Sequence, residues 1–239
     1  MAFYLIGLGL SERGISLHGK KIIKNCDKVY LENYTVDFPY TQKDLEKQLK
    51  VKLIPADRKL VESDVILKES IENEVALLVY GSPLMATTHI SLIANCIEKR
   101  IKYKIIHSAS IFDAIAESGL SIYRFGKTAS IPKWQKNFSP TSFISVIKDN
   151  LKIDAHTLIL IDIGLSFEDA RRQLIESCKK EDLTLPKLIV CSRLGIKSKF
   201  FYNDINKFDT DKIKLPFCLI LPSKLNSHEI NWIKMICKN

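Results

Sequence analysis

Two short apolar runs that each end in glycine limit most strongly what this chain can fold into. Ala2 to Leu8 leads into Gly7-Leu8-Gly9-Leu10, and Val75 to Tyr80 leads into Gly81-Ser82-Pro83-Leu84. An apolar run of this length bounded by a turn reads as a buried strand. Glycine there admits backbone angles that other residues resist, and it lets a ligand come close to the main chain. Around these runs, strand and helix patterns alternate. Ser16 to Cys26 places Leu17, Ile22, Ile23 and Cys26 on one helical stripe, and Lys28 to Glu32 reads as a strand. Thr41 to Leu49 is helical, Val51 to Pro55 a short strand, Arg58 to Glu72 a helix, Ala86 to Arg100 another, and Tyr103 to His107 a strand. The alternation predicts an α/β domain with a mostly parallel sheet. Ligands of such sheets bind beyond the strand carboxyl ends, so both glycine turns are expected on the same sheet edge.

The pattern changes near residue 108. Ser110 to Ser118 is a short helix ended by Gly119, Thr128 to Pro132 is extended, and Pro140 to Leu151 is a helix with proline in its first turn. Thr157 to Ile163 is a buried strand. Ser166 to Lys180 carries a serine cap, acidic residues in its first turn and lysines at its end. Leu188 to Ser192, Lys199 to Tyr202 and Phe217 to Leu221 are further strands. Asn226 to Lys238 is a closing helix capped by Asn226 or Ser227. Some of these strands are joined by few residues, which requires antiparallel pairing. The expected organisation is two α/β domains: 1–108 with the glycine turns, and 109–239 with a mixed sheet.

Composition narrows the class. With 46% hydrophobic and 26% charged residues, the chain of 239 residues is neither disordered nor fibrous. No window holds the roughly 18 apolar residues needed to span a bilayer, and the N-terminus lacks the basic segment of a signal peptide. The net charge of +9 is spread along the chain and reads first as a lysine-rich solvated surface. An acidic or RNA-associated partner is the alternative. Six cysteines without a CxxC pair are expected to be reduced thiols, and no zinc site is expected.

Familiar chemical signatures fail. Gly7 and Gly9 are followed by Glu12, with the next glycine at Gly14, so GxGxxG is broken. Glu32, at the end of a strand, keeps a nicotinamide enzyme as an alternative through a ribose contact. There is no P-loop, no GxSxG elbow and no HExxH. The five histidines are scattered, and His89 reads as a hydrogen-bonded or surface residue of a helix. Asp162 closes a buried strand and requires a backbone or basic partner. His107-Ser108-Ala109-Ser110, at a strand end before a helix, reads as a cap or as a set of backbone donors facing a ligand at the domain junction. Lys133-Trp134-Gln135-Lys136 reads as a surface loop in preference to a base-stacking site.

FYLIGLGLSERGISLHG with NCDKVYLENYT, GSPLMATTHISL, IIHSASIFDAIAESGLSIYRFGKTASI, NFSPTSFISVIKDN and HTLILIDI, in this order over residues 1–165, resemble the diphthine synthase family. LIVCSRLG and LPFCLILPSKLN resemble the family's end. The resemblance implies a tetrapyrrole-methylase-like fold and an S-adenosylmethionine-dependent methyltransferase, with the cofactor folded into a cleft between two α/β domains. It implies methylation of the modified (aminocarboxypropyl) histidine of translation elongation factor 2 in diphthamide biosynthesis, S-adenosylhomocysteine as product, a cytoplasmic homodimer, and no membrane or nucleic-acid partner. Archaeal members make a trimethylammonium; eukaryotic members also form a methyl ester. The family's cofactor positions fall on Leu10, Ser82, Met85, Ser110 and Ile111, on Ile161 in a buried strand, and on Leu194 and Phe217 in the last strands. Two positions depart from the family: Ser82 stands where the pattern has Asp, and the family often has His near Phe217. The segment between Ile163 and Lys187 is also shorter than usual. The departure at Ser82 motivates, as an alternative, a cofactor-binding homologue impaired in transfer. A tetrapyrrole-type small-molecule methylase of the same fold is a further alternative, against which the low glycine count and the motifs beyond the glycine turns speak. Transfer from a sulfonium needs positioning above all, so no catalytic acid or base is assigned.

Overall fold

The computed structural model describes residues 1–237, and the chain packs as two compact units that divide after Asp113. In the first unit, β1 (Ala2–Gly7), β2 (Lys28–Glu32), β3 (Ile54–Ala56), β4 (Glu74–Val79) and β5 (Tyr103–Ile106) form one sheet in the order β3-β2-β4-β1-β5. Every pairing in it is parallel, as the alternation predicts. Helices α1 (Leu17–Ile23) and α2 (Gln42–Leu49) cover one face, where Ile23, Leu45 and Leu49 pack on Ile6, Val29, Ala76 and Leu78. Helices α3 (Arg58–Val61), α4 (Val65–Glu69) and α5 (Ile90–Glu98) cover the other, with Val61, Ile66, Leu67, Leu92 and Ile93 on Phe3, Leu5, Val75 and Leu77. Alternate residues of one strand thus feed two cores, which is why β1 and, after Glu74, β4 are apolar on both faces.

The helix read over Ser16 to Cys26 ends at Ile23, and three further boundaries move, each for a local reason. The third strand begins at Ile54 because side chains of α2 capture Leu53: its N–H donates to Glu46 Oε1 (2.9 Å), and its carbonyl accepts from Gln42 Nε2 (2.9 Å). Pro55 is tolerated in that strand because β3 is an edge. The helix expected over Arg58–Glu72 is broken where Ser63 Oγ donates to the Leu60 carbonyl (2.7 Å) and accepts from Val65 N (3.3 Å). The helix expected from Ala86 starts only at Ile90, because Ala86 sits at φ 56° in the left-handed region.

The second unit opens on a short 3₁₀ turn, Ile115–Ser118, closed by Gly119 at φ 75°. Its strands are β6 (Ala129–Ile131), β7 (Thr157–Ile161), β8 (Leu188–Ser192), β9 (Lys199–Asn203) and β10 (Phe217–Leu221). Their order is β6-β7-β10-β8-β9, with β6 parallel to β7 and the other pairs antiparallel, so the sheet is mixed as expected. Helices α6 (Ile111–Ala114), α7 (Phe143–Lys152), α8 (Phe167–Lys180) and α9 (Ser227–Ile236) complete the chain, with α6 crossing the division between units. Phe143, Ile147, Ala170 and Leu174 of α7 and α8 pack on Ile131, Ile159, Val190 and Leu219 of the sheet. Pro140 lies before α7 and not in its first turn; its carbonyl accepts from Trp134 Nε1 (3.2 Å), which holds that segment as a loop. The caps at Ser166 and Asn226 form as read, the latter as a full capping box; the Lys238 end expected for the last helix lies outside the described residues. No helix among the described residues is long and apolar enough to cross a membrane. All six cysteines are free, and burial pushes the Cys96 and Cys178 thiols up to about 11.

A buried polar cluster ties α9 to β7. Glu229, only 2% exposed, accepts from Arg124 Nη1 (2.6 Å), Ser121 N (3.2 Å) and Asn226 N (2.9 Å), and meets His156 Nε2 at 3.2 Å. His156 Nδ1 accepts from Ser223 N (3.0 Å), so its proton sits on Nε2 and donates to Glu229. Burial, the largest effect, holds His156 below the ordinary 6.5 despite Glu229, so the buried ring is neutral. Burial opposes ionisation of Glu229, but the N–H groups of Asn226 and Ser121 and then His156 outweigh it and hold the carboxyl below 4.5. Both depressed values have one sign: the unfolded chain binds more protons as pH falls, so stability is lost on the acid side. For His156 the loss begins below about 6.5, and for Glu229 below about 4.5. Urea unfolding between pH 7 and pH 5 is expected to show a falling midpoint, and His156→Gln to flatten that fall while lowering stability at pH 7. An equal slope in the two proteins would contradict the assignment.

Candidate functional site

The site in the first unit grows from the β1 and β4 carboxyl ends. These strands are neighbours, yet α1 after β1 and α5 after β4 lie on opposite faces of the sheet. Connections that leave adjacent strands towards opposite faces open a crevice at the sheet edge. Both glycine turns lie there, joined to each other: Gly9 N–H donates to Gly81 O (3.1 Å), and Gly81 N–H to Gly9 O (2.9 Å). Gly9 and Gly81 have φ of 70° and 73°, the left-handed region that favours glycine. A Cβ on Gly7 would lie 2.6 Å from the Gly81 carbonyl oxygen. Gly14, which breaks the dinucleotide spacing, has a packing task of its own: a Cβ there would lie 2.6 Å from Leu8 O.

Two side chains whose partners no local pattern announces lock this arrangement. Tyr80 Oη donates to the Leu10 carbonyl (2.9 Å), and Ser108 Oγ, just beyond β5, donates to Gly14 O (2.8 Å). Phe38 packs edge-on against Tyr80 and Tyr40, with ring centres 5.3 and 5.4 Å apart. Burial pushes the Tyr80 and Tyr40 phenols upward, so both remain protonated.

Leu10 and Ser82 are buried beside the joined turns; Met85, in the same turn as Ser82, is 43% exposed. Ser110 Cα would lie 3.9 Å from a Cβ on Gly81, which places it against the second turn. Its side chain is engaged in capping: Ser110 N and Oγ both donate to Asp113 Oδ2 (2.7 and 2.9 Å), and Phe112 N donates to Ser110 Oγ (3.2 Å). Ile111 follows as the first residue of α6. Five of the eight candidates therefore gather at one sheet edge of the first unit.

The other three gather in the second unit. β10 pairs Leu219 with Ile159 and Phe217 with Ser192, and the first register carried two residues further sets Ile161 opposite Phe217. Leu194 is not on a strand: β8 ends at Ser192, and Leu194 is buried in the turn that follows. Arg193, at φ 52°, starts that turn and donates its N–H to Pro216 O (2.9 Å), keeping Leu194 close to the start of β10. Ile161, Leu194 and Phe217 thus share one end of the sheet.

The residues behind weaker readings have other tasks. Glu32 is fully buried and accepts from Tyr34 N (2.6 Å), Thr35 N (2.8 Å) and Thr35 Oγ1 (2.6 Å), so it holds its own loop and offers no ribose contact. His89 is not on the helix but buried at its N-cap position. Asp162 follows β7 and accepts from Lys133 N and Ile163 N (3.0 Å each), the backbone partners expected of it. Lys180 Nζ stands 5.1 Å from the Trp134 ring centre. No group of three His, Cys, Asp or Glu among the described residues is placed to hold a metal ion.

The family description for tetrapyrrole (corrin/porphyrin) methylases matches residues 2–204. The chain belongs to the tetrapyrrole methylase family. Within it, the chain is similar to proteins named diphthine methyl ester synthase. That of Candida albicans is 45% identical over 227 residues, covering 83% of this chain and 76% of the relative. That of Schizosaccharomyces pombe is 44% identical over 164 residues, covering 67% of this chain, so the match spans only 58% of the relative's length. A solved chain from Entamoeba histolytica superposes with a TM-score of 0.89 at 31% identity, covering 100% of this chain and 99% of its own. A solved diphthine synthase superposes with a TM-score of 0.89 at 26% identity, covering 99% and 96%. Membership in this methylase family removes the nicotinamide alternative, in agreement with the engagement of Glu32.

Proposed function

We propose that this methylase transfers methyl groups from S-adenosylmethionine to the aminocarboxypropyl-histidine of translation elongation factor 2, in diphthamide biosynthesis. The observation that carries the reading is the pair of joined glycine turns at the β1/β4 edge, in a chain 45% identical to a diphthine methyl ester synthase. Several features of that edge fit the cofactor. The glycines bare main chain where a ligand lies against it, and Leu10 lines the first turn with an apolar side chain. Met85 is an apolar side chain left partly exposed in the second turn. Ser82 Oγ has no hydrogen-bond partner among the described residues, and so is free to bond a ligand.

When bound, S-adenosylmethionine supplies an activated methyl on a sulfonium that departs as a neutral thioether. The residues proposed to hold it are Leu10, Ser82, Met85, Ser110, Ile111, Ile161, Leu194 and Phe217. Backbone groups of the two turns orient the ligand, while the apolar side chains cover it and exclude water. Positioning of this kind can lower a displacement barrier by about 7–11 kcal/mol without an acid or base. The accepting nitrogen or carboxylate oxygen must be unprotonated, and an amine's proton can pass to water. The relatives' name favours a product that includes the methyl ester. A homodimer in the cytoplasm, without a membrane or nucleic-acid partner, completes the proposal.

Ser82 gives a direct check on the site. Ser82→Asp restores the carboxylate of the family pattern beside a cationic ligand, and a charge-assisted contact is about twice as strong as a neutral one. Affinity for S-adenosylmethionine is expected to rise by about three- to tenfold, read by calorimetry. An unchanged affinity would remove Ser82 from the site. In the same instrument the unaltered protein is expected to bind S-adenosylmethionine at micromolar levels and NAD not at all; the reverse would overturn the cofactor assignment.

A further inference from the structure

Two residues singled out in the sequence, Glu32 and His89, have no part in holding the cofactor directly, yet they belong to one chain of contacts that ends on its turn. Glu32 fixes the loop after β2 by accepting from Tyr34 N (2.6 Å) and from Thr35 N and Oγ1 (2.8 and 2.6 Å). The fixed loop presents the Tyr34 hydroxyl 3.5 Å from His89 Nε2, with the two rings edge-on at 79°. The Arg58 guanidinium lies over the Tyr34 ring, 5.2 Å from its centre. His89 Nδ1 stands 3.1 Å from the Pro83 carbonyl oxygen. That oxygen can only accept, so Nδ1 carries the ring proton, and Nε2 is left to accept from Tyr34. Burial, with Glu32 next in effect, pushes the Tyr34 phenol up to about 12, so it remains a donor. The Pro83 carbonyl also accepts from Thr87 Oγ1 (2.8 Å).

Pro83 lies between Ser82 and Met85, and the turn that carries them contains Ala86 at φ 56°, a conformation a non-glycine residue holds only under constraint. Two donors converging on one carbonyl supply that constraint. We propose that His89, braced by Tyr34 on the loop that Glu32 fixes, is a positioning residue that sets the Ser82–Met85 turn for the cofactor through its bond to the Pro83 carbonyl. The proposal rests on the reading that this turn holds S-adenosylmethionine.

The test separates the two nitrogens of His89. Asn places an amide nitrogen near the position of Nδ1 and keeps the bond to Pro83, whereas Gln reaches towards the position of Nε2 and loses it. Binding of S-adenosylmethionine to each purified variant is measured by calorimetry, beside its thermal midpoint. His89→Asn is expected to bind within about threefold of the unaltered protein, and His89→Gln at least about tenfold more weakly. A residue that merely fills the core would weaken both variants in step with their loss of stability. Equal binding by the two variants overturns the proposal. If His89→Gln does not fold, Thr87→Val decides, because it removes the second donor from the same carbonyl at a half-buried position. Affinity within twofold of the unaltered protein then overturns the proposal, and a fall of about fivefold or more supports it. Failure of the unaltered protein to bind at all would instead strike the cofactor reading, so the two failures are distinguishable.

Discussion

Gly7→Ala is expected to abolish measurable methyl transfer while leaving a folded protein. The new Cβ would lie 2.6 Å from the Gly81 carbonyl oxygen, 3.0 Å from Pro83 Cδ and 3.1 Å from Ser108 Cβ. The first of these is backbone in the middle of the joined turns, so relief requires the two turns to part. Overpacking of this kind costs about 1–3 kcal/mol of stability, which a unit with two well-filled cores can absorb. The site cannot absorb it: a displacement of about 1 Å costs about 100-fold in a reaction that depends on positioning. The expected result is a fall of about 100-fold in S-adenosylmethionine affinity, with far-ultraviolet circular dichroism unchanged. Binding within threefold of the unaltered protein would show that the ligand does not use this edge.

The second large effect lies in the other unit and is one of stability. Glu229→Ala removes a buried carboxylate that answers Arg124, His156, Ser121 N and Asn226 N together. Breaking one side of such a buried pair costs about 3–5 kcal/mol, since the remaining charge and donors stay buried without a partner. Loss of the capping box at the start of α9 adds about 1 kcal/mol. A thermal midpoint lowered by about 10 °C is expected, with a smaller loss for Glu229→Gln, which keeps an acceptor oxygen. A change under about 2 °C for Glu229→Ala would mean that the cluster is solvated and contributes little. His156 and Ser223 resemble a nucleophile pair in spacing alone. Ser223 Oγ already donates to Asp154 O (2.7 Å), so the cluster serves as a clamp.

Much of the fold is legible from local pattern. The apolar runs at residues 2–7 and 75–79 announce a sheet covered on both faces, and the caps at Ser16, Thr41, Ser166 and Asn226 mark four helix starts. The glycine turns locate the crevice because a strand's carboxyl end and a glycine are both local signals. What could not be read depends on distant partners. Leu53 leaves the third strand because two side chains of α2 seize it. Ala86 delays α5 through a left-handed conformation that no residue type announces, and this moved His89 from a helix face to a buried junction. Gly14 fails a spacing rule written for another ligand yet meets the same need for close backbone approach. Nothing in the sequence signals the partners of Tyr80 and Ser108; only the sheet brings them to Leu10 and Gly14.

The most direct measurement is transfer of isotopically labelled methyl from S-adenosylmethionine to elongation factor 2 carrying the aminocarboxypropyl-histidine intermediate, read by mass spectrometry of the modified peptide. The account predicts label on that histidine with the unaltered protein and none with Gly7→Ala. S-adenosylmethionine binding without label on the peptide would contradict the proposed reaction and leave a cofactor-binding protein whose transfer function is lost.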